Sequence, residues 1–119
     1  MLAPTFPSSP QLALLTQLTD AVLARAAAGD ASAAALKLNG ALLEANPDCY
    51  TAWNARRAAV AAALAAGGEQ GRAAAAGELS VTQKALTRNP KSYPAWHHRR
   101  WVVGHGLTSL QGELALVDR

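Results

Sequence analysis

Five side chains with polar or ionic chemistry fall within nine residues of one another: Lys91, Tyr93, His97, His98 and Arg99. Lys91 follows Asn89-Pro90, a pair that ends one helix and precedes the next. A helix N-terminus offers unpaired amide groups and the positive end of the helix dipole, so a lysine there adds to a place that already favours an anion. The chemistry that fits is contact with a phosphate or diphosphate through Lys91, with Tyr93 beside it and His97, His98 and Arg99 in the following turn. On charge alone a solvated loop lysine is the other reading. Metal ligation is not expected, because adjacent residues on a helix point about 100° apart and His97 and His98 cannot both face one ion. No Ser-His-Asp set, carboxylate pair or glycine-rich phosphate loop accompanies them.

This segment has a twin. Asn46-Pro47-Asp48-Cys49-Tyr50-Thr51-Ala52-Trp53-Asn54-Ala55-Arg56-Arg57 matches Asn89-Pro90-Lys91-Ser92-Tyr93-Pro94-Ala95-Trp96-His97-His98-Arg99-Arg100 at seven of twelve positions, 43 residues apart. The loop position that holds Lys91 in the second copy holds Asp48 in the first, which would repel an anion. Only the second copy is therefore a candidate anion site.

Positioning these residues requires helices. Tyr50, Trp53, Arg57, Val60 and Leu64 recur at helical spacing, and Tyr93, Trp96, Arg100, Val103 and Leu107 repeat that register. The pattern predicts that Trp53 and Trp96 fill the seam between helices and that Arg57 and Arg100, on the same stripe, are paired. Arg56 and Arg99, one step round, are expected to reach solvent or a partner. Asn-Pro ends the helix before each motif, since proline cannot donate to the helix ladder and pushes its predecessor out of the α region. The expected partners are helices over 31–45, with Asp30 as N-cap, and over about 72–88. Residues 11–28 read as a leading helix stopped by Gly29, residues 67–77 as a flexible Ala/Gly connection, and residues 1–10, with three prolines, as an unstructured arm. Thr108 is placed to cap a further helix to Arg119, the start of a third repeat.

Composition agrees. Of 119 residues 29 are Ala and 17 Leu, with no Ile, which favours helix and argues against a β-built fold. The expected class is all-α: a right-handed α-α superhelix of helical hairpins. One cysteine, Cys49, excludes an internal disulfide and fits a reducing compartment. The net charge of +3 is too small for a nucleic-acid footprint. The charge-free run 1–19 is broken by prolines and polar residues, so it predicts neither a membrane span nor a secretory signal. The default is a soluble, cytoplasmic protein.

The motif resembles the repeat of protein prenyltransferase α-subunits, most closely through Asn89 to Trp101, and the likeness is clear over residues 18–101. Tetratricopeptide hairpins have a 34-residue period and a Trp-Leu-Gly-Tyr pattern that is absent here. Within the family the chain looks more like the α-subunit of Rab geranylgeranyltransferase than the subunit shared by farnesyltransferase and geranylgeranyltransferase type I. The 43-residue spacing, the early first motif and the residues Asn46-Pro47-Asp48 and Trp53-Asn54 carry that preference.

The resemblance implies a crescent of hairpins around a β-subunit that holds the catalytic zinc, with no cofactor bound by this chain. It implies that Lys91 reaches across the interface to an isoprenoid diphosphate, with Tyr93 beside it, and that Rab GTPases presented by a Rab escort protein are the acceptors. Trp53, Arg56, Arg57, Trp96, Arg99 and Arg100 are then structural repeat residues. Family subunits carry five or more repeats. Two repeats and the start of a third predict a truncated chain, marginal stability, and little activity alone. A non-catalytic helical-repeat scaffold is the alternative from another class.

Overall fold

The computed structural model describes residues 9–107, and all regular structure among them is α-helical. Five helices follow in order: α1 (Ser9–Ala27), α2 (Ala33–Ala45), α3 (Tyr50–Ala66), α4 (Gly68–Arg88) and α5 (Tyr93–Val103). The pairs α2/α3 and α4/α5 are the two hairpins, and α1 packs on the first of them. α2 lies beside α4 in one layer, while α1, α3 and α5 lie side by side in the other. The result is a slab of 52 × 38 × 16 Å, two helices thick, the stacked-hairpin arrangement of an α-α superhelix. The expected arm and the helix from Thr108 lie outside the described residues, apart from Ser9 and Pro10, which open α1.

Local chemistry explains the boundaries. α1 stops at Gly29, whose φ of 71° suits glycine. There Gly29 N–H donates to Ala26 O and Asp30 N–H to Arg25 O, the paired bonds of a Schellman ending. The N-cap of α2 is Ser32, not Asp30: Ser32 Oγ accepts from Ala35 N–H at 3.2 Å. Asp30 works two residues outside the cap, accepting Ser32 N–H at 2.9 Å and Arg25 NH1 at 3.0 Å. Those backbone and side-chain bonds from Ser32, with Arg25 nearby, hold its carboxyl below the ordinary value.

Each Asn-Pro does what its chemistry requires. Asn46 and Asn89 end α2 and α4, and their side-chain oxygens accept the N–H of Asp48 and Lys91 at 3.3 and 3.1 Å. The connection expected over 67–77 is a single residue instead. Gly67, at φ 68°, turns the chain from α3 straight into α4. An alanine-rich stretch has no reason to leave the helix once its first turn docks, and Gly71 permits that docking: a Cβ there would come within 3.0 Å of Ala63 O.

The core follows the repeat. Leu42 and Leu43 of α2 and their counterparts Ala85 and Leu86 of α4 meet Trp53, Ala52 and Ala95 across the layers. A second cluster of Val60, Leu64, Ala75 and Val102 lies towards the other end of α3. Ala52 and Ala95, each fully buried, let the two layers approach closely, so small side chains set the spacing and the tryptophans fill what remains.

Candidate functional site

The two tryptophans fasten the loops that carry Asp48 and Lys91. Trp53 Nε1–H donates to Pro47 O at 2.8 Å, and Trp96 Nε1–H donates to Pro90 O at 2.7 Å, six residues back in both cases. A buried indole needs such an acceptor, and the carbonyl before the loop tip supplies it. Each Asn-Pro turn is thus pinned to the helix that follows, which places residue 48 or 91 and the tyrosine two positions on at one edge of the slab.

The loops are also joined to each other. Ser92, buried, caps α5 through Ala95 N–H, and its Oγ lies 2.7 Å from Asp48 Oδ1 and 3.0 Å from Pro47 O. A hydroxyl has one proton, and the shorter, charge-assisted contact to Asp48 is the stronger claim on it. The first repeat has Cys49 at this position, without a side-chain cap. Asp48, which sequence reasoning treated only as an obstacle to anions, is a fastener between repeats.

Lys91 is exposed at the loop tip and forms no ion pair among the described residues. Tyr93, 67% exposed, begins α5 and stacks on the exposed ring of His97 at 6.0 Å. Tyr50 holds the matching outward position in the first repeat, 57% exposed. Lys91, Tyr93 and His97 therefore share one open edge.

His98 and Arg99 do not join them. Both are buried, turned towards α4. Arg99 NH1 donates to Leu79 O at 3.1 Å and to Thr82 Oγ1 at 2.7 Å. Arg56 repeats this one hairpin earlier, its NH1 donating to Leu36 O at 2.9 Å. Leu36 and Leu79 are 43 residues apart, as are Arg56 and Arg99, so one architectural bond recurs.

The expected arginine roles are therefore exchanged. Arg57 and Arg100 are exposed, and Arg57 lies over the Trp101 ring, 4.6 Å from its centroid. Arg56 and Arg99 are the inward pair. The stripe is displaced because the buried faces centre on Ala52 and Arg56, and on Ala95 and Arg99, with both tyrosines outside. Tyrosine fits a wide, half-wet edge; alanine fits the narrow seam.

Glu78, which sequence reasoning missed, joins three helices. Arg56 grips it with Nε–Oε1 at 2.9 Å and NH2–Oε2 at 2.7 Å, and His98 Nε2 stands 2.9 Å from Oε1. A carboxylate can only accept, so Nε2 carries a proton. Burial pushes the Glu78 carboxyl up, but hydrogen bonds from His98 and Arg56 and the charge of Arg56 outweigh it, leaving the group below its ordinary value. His98 in turn lies between Trp53, at 4.7 Å, and Trp101, at 5.4 Å. The one hint in the sequence was a lone acid in the interior of an alanine-rich helix, with no counterpart in the first repeat, where Ala35 stands.

The two hairpins coincide with two matches to the protein prenyltransferase alpha subunit repeat, at residues 32–63 and 75–106. The chain belongs to that repeat family. The α-subunits of this family work with a β-subunit, and a prenyltransferase-associated role follows from membership. No curated protein matches the chain closely enough to count as a relative. No helix among the described residues is long and apolar enough to cross a membrane.

Proposed function

We propose that this protein is the α-subunit, or part of it, of a cytoplasmic Rab geranylgeranyltransferase, assisting transfer of a geranylgeranyl group to C-terminal cysteines of Rab GTPases presented by an escort protein. The observation that supports it best is the Lys91 edge: an exposed lysine without an ion-pair partner among the described residues, on a loop pinned by Trp96 and clasped through Ser92, next to the outward Tyr93. The 43-residue length of the repeat and the residues Asn46-Pro47-Asp48 and Trp53-Asn54 favour the Rab type over the subunit shared by farnesyltransferase and geranylgeranyltransferase type I.

In this reading the thiolate sulfur of the acceptor attacks the first carbon of the lipid as the carbon–oxygen bond to diphosphate breaks, and the diphosphate departs with the bonding electrons. The β-subunit, where the resemblance puts the zinc, would supply an activated thiolate. This chain contributes the ammonium of Lys91, which offsets negative charge growing on the leaving group, and a polar edge from Tyr93 and His97. In this reading His98 and Arg99 have no direct part, because both are buried, with His98 Nε2 and Arg99 NH1 bonded to residues of α4.

The test is co-expression with a Rab geranylgeranyltransferase β-subunit, followed by single-turnover transfer of geranylgeranyl to an escort-bound Rab. Lys91→Ala is expected to slow transfer by about 10²-fold, the scale of one removed transition-state donor, while leaving heterodimer yield unchanged. Equal turnover removes Lys91 from the mechanism. Failure to bind the β-subunit at all supports the scaffold reading, and binding with transfer of farnesyl instead supports the shared subunit.

A further inference from the structure

Between α2 and α4, on the layer away from Trp53, runs an open groove of about 520 Å³. Its lining is apolar and small at the centre, with Leu36, Gly40, Ala41 and Val81, and cationic at the walls, with Lys37 on α2 and Lys84 on α4. Both lysines are exposed, and neither forms an ion pair among the described residues. The Arg56 guanidinium beneath them is neutralised by Glu78, so the two lysines face one opposing charge, Glu44, the single carboxylate in the lining.

Gly40 and Gly77 are both helix-interior glycines that packing does not demand, and of the two Gly40 lines the groove. It sits inside α2, where glycine costs about 1 kcal/mol relative to alanine. Packing does not demand it: a Cβ would meet Arg56 NH1 at 3.5 Å and Val81 Cγ2 at 3.6 Å, ordinary contact distances. In a chain with 29 alanines, the less stable residue stands at the floor of this groove. A local rule broken with no structural return points to use of the space.

We propose that this groove seats a peptide segment of a partner protein bearing carboxylates and small aliphatic side chains. Its aliphatic groups lie over Gly40, Leu36 and Val81, and its carboxylates meet Lys37 and Lys84. The lining has no aromatic ring on which bases could stack, so nucleic acid does not suit it. The groove shares no residue with the Lys91 edge and stands or falls separately from the transferase reading.

The experiment is fluorescence anisotropy on the full chain, with a labelled peptide of alternating Glu and Leu or Ala residues and a second peptide with Lys in place of Glu. The acidic peptide is expected to bind, more weakly as salt rises, and the basic one not to. Gly40→Leu should weaken binding about tenfold, and joint Lys37→Glu and Lys84→Glu should abolish it. Gly40→Ala separates a functional glycine from an incidental one: it should raise Tm by about 5 °C and yet weaken binding. Equal binding of both peptides, no binding of either, or an affinity untouched by Gly40→Ala in a folded chain overturns the proposal.

Discussion

Arg56 of the first hairpin holds Glu78 of the second through two parallel hydrogen bonds of 2.9 and 2.7 Å, in a site where both side chains are almost wholly buried. Removing Glu78 leaves Arg56 charged without an ion-pair partner, and removing Arg56 leaves Glu78 with His98 alone. Arg56→Met or Glu78→Leu should each cost about 3–5 kcal/mol, whereas the joint replacement should cost less than their sum, the remainder reflecting His98 Nε2–H and Leu36 O, which lose these partners. Urea unfolding of the two single variants and the double one checks this. Additive losses would show that the residues do not act as a pair.

Acid should weaken the fold through the same carboxylate. The Glu78 carboxyl titrates lower in the folded chain than its ordinary value of 4.5, because His98 and Arg56 favour its charged form against burial. A depressed folded value means that the contribution is present above the unfolded pKa and is lost as pH falls through the folded one. Stability measured from pH 6 down to pH 3 should therefore decline, and Glu78→Gln should flatten part of the decline. An unchanged slope in that variant would place the acid sensitivity elsewhere.

The two tryptophans should respond unequally to Phe. Trp53 is buried and its indole N–H donates to Pro47 O, so Trp53→Phe loses a hydrogen bond and leaves space in the core. Trp96 makes the matching bond to Pro90 O at a more open site. We expect a loss of about 2–3 kcal/mol for Trp53→Phe and about 1 kcal/mol for Trp96→Phe. Thermal unfolding ranks them, and the reverse order would contradict the packing.

Ser92→Ala should loosen the joint between the loops. The substitution removes both a helix cap and the contact with Asp48, together about 1–3 kcal/mol. Amide exchange should rise at Asp48, Cys49 and Lys91 more than in α1. Ser92→Thr should restore much of the protection, because it keeps the hydroxyl.

How much of this was legible in the sequence depends on which force set each feature. The repeat, its hairpins and the Asn-Pro breaks follow from local chemistry, and α2, α3 and α5 lie where spacing and proline sterics put them. The inward arginine of each pair did not, because helical periodicity alone does not decide whether a stripe centres on the tyrosine or on the alanine two residues on. The choice is made across the seam, where Leu36 O and Leu79 O wait for Arg56 and Arg99. Residues 67–77 depart from a flexible connection for a related reason: propensity counts glycine against helix, but Gly71 is what lets α4 lie against α3. Glu78 is legible only after both hairpins are stacked, since the residues that neutralise it come from α3 and α5.

The contact between hairpins is built from unlike halves. Arg56 stands on one and Glu78 with His98 on the next, so the surface that receives differs from the surface that gives. Two copies of this chain cannot meet through it face to face with twofold symmetry, since a self-matching patch is what that symmetry needs. Growth through such a joint has a direction, and the order of hairpins along the stack is written into which side carries the arginine.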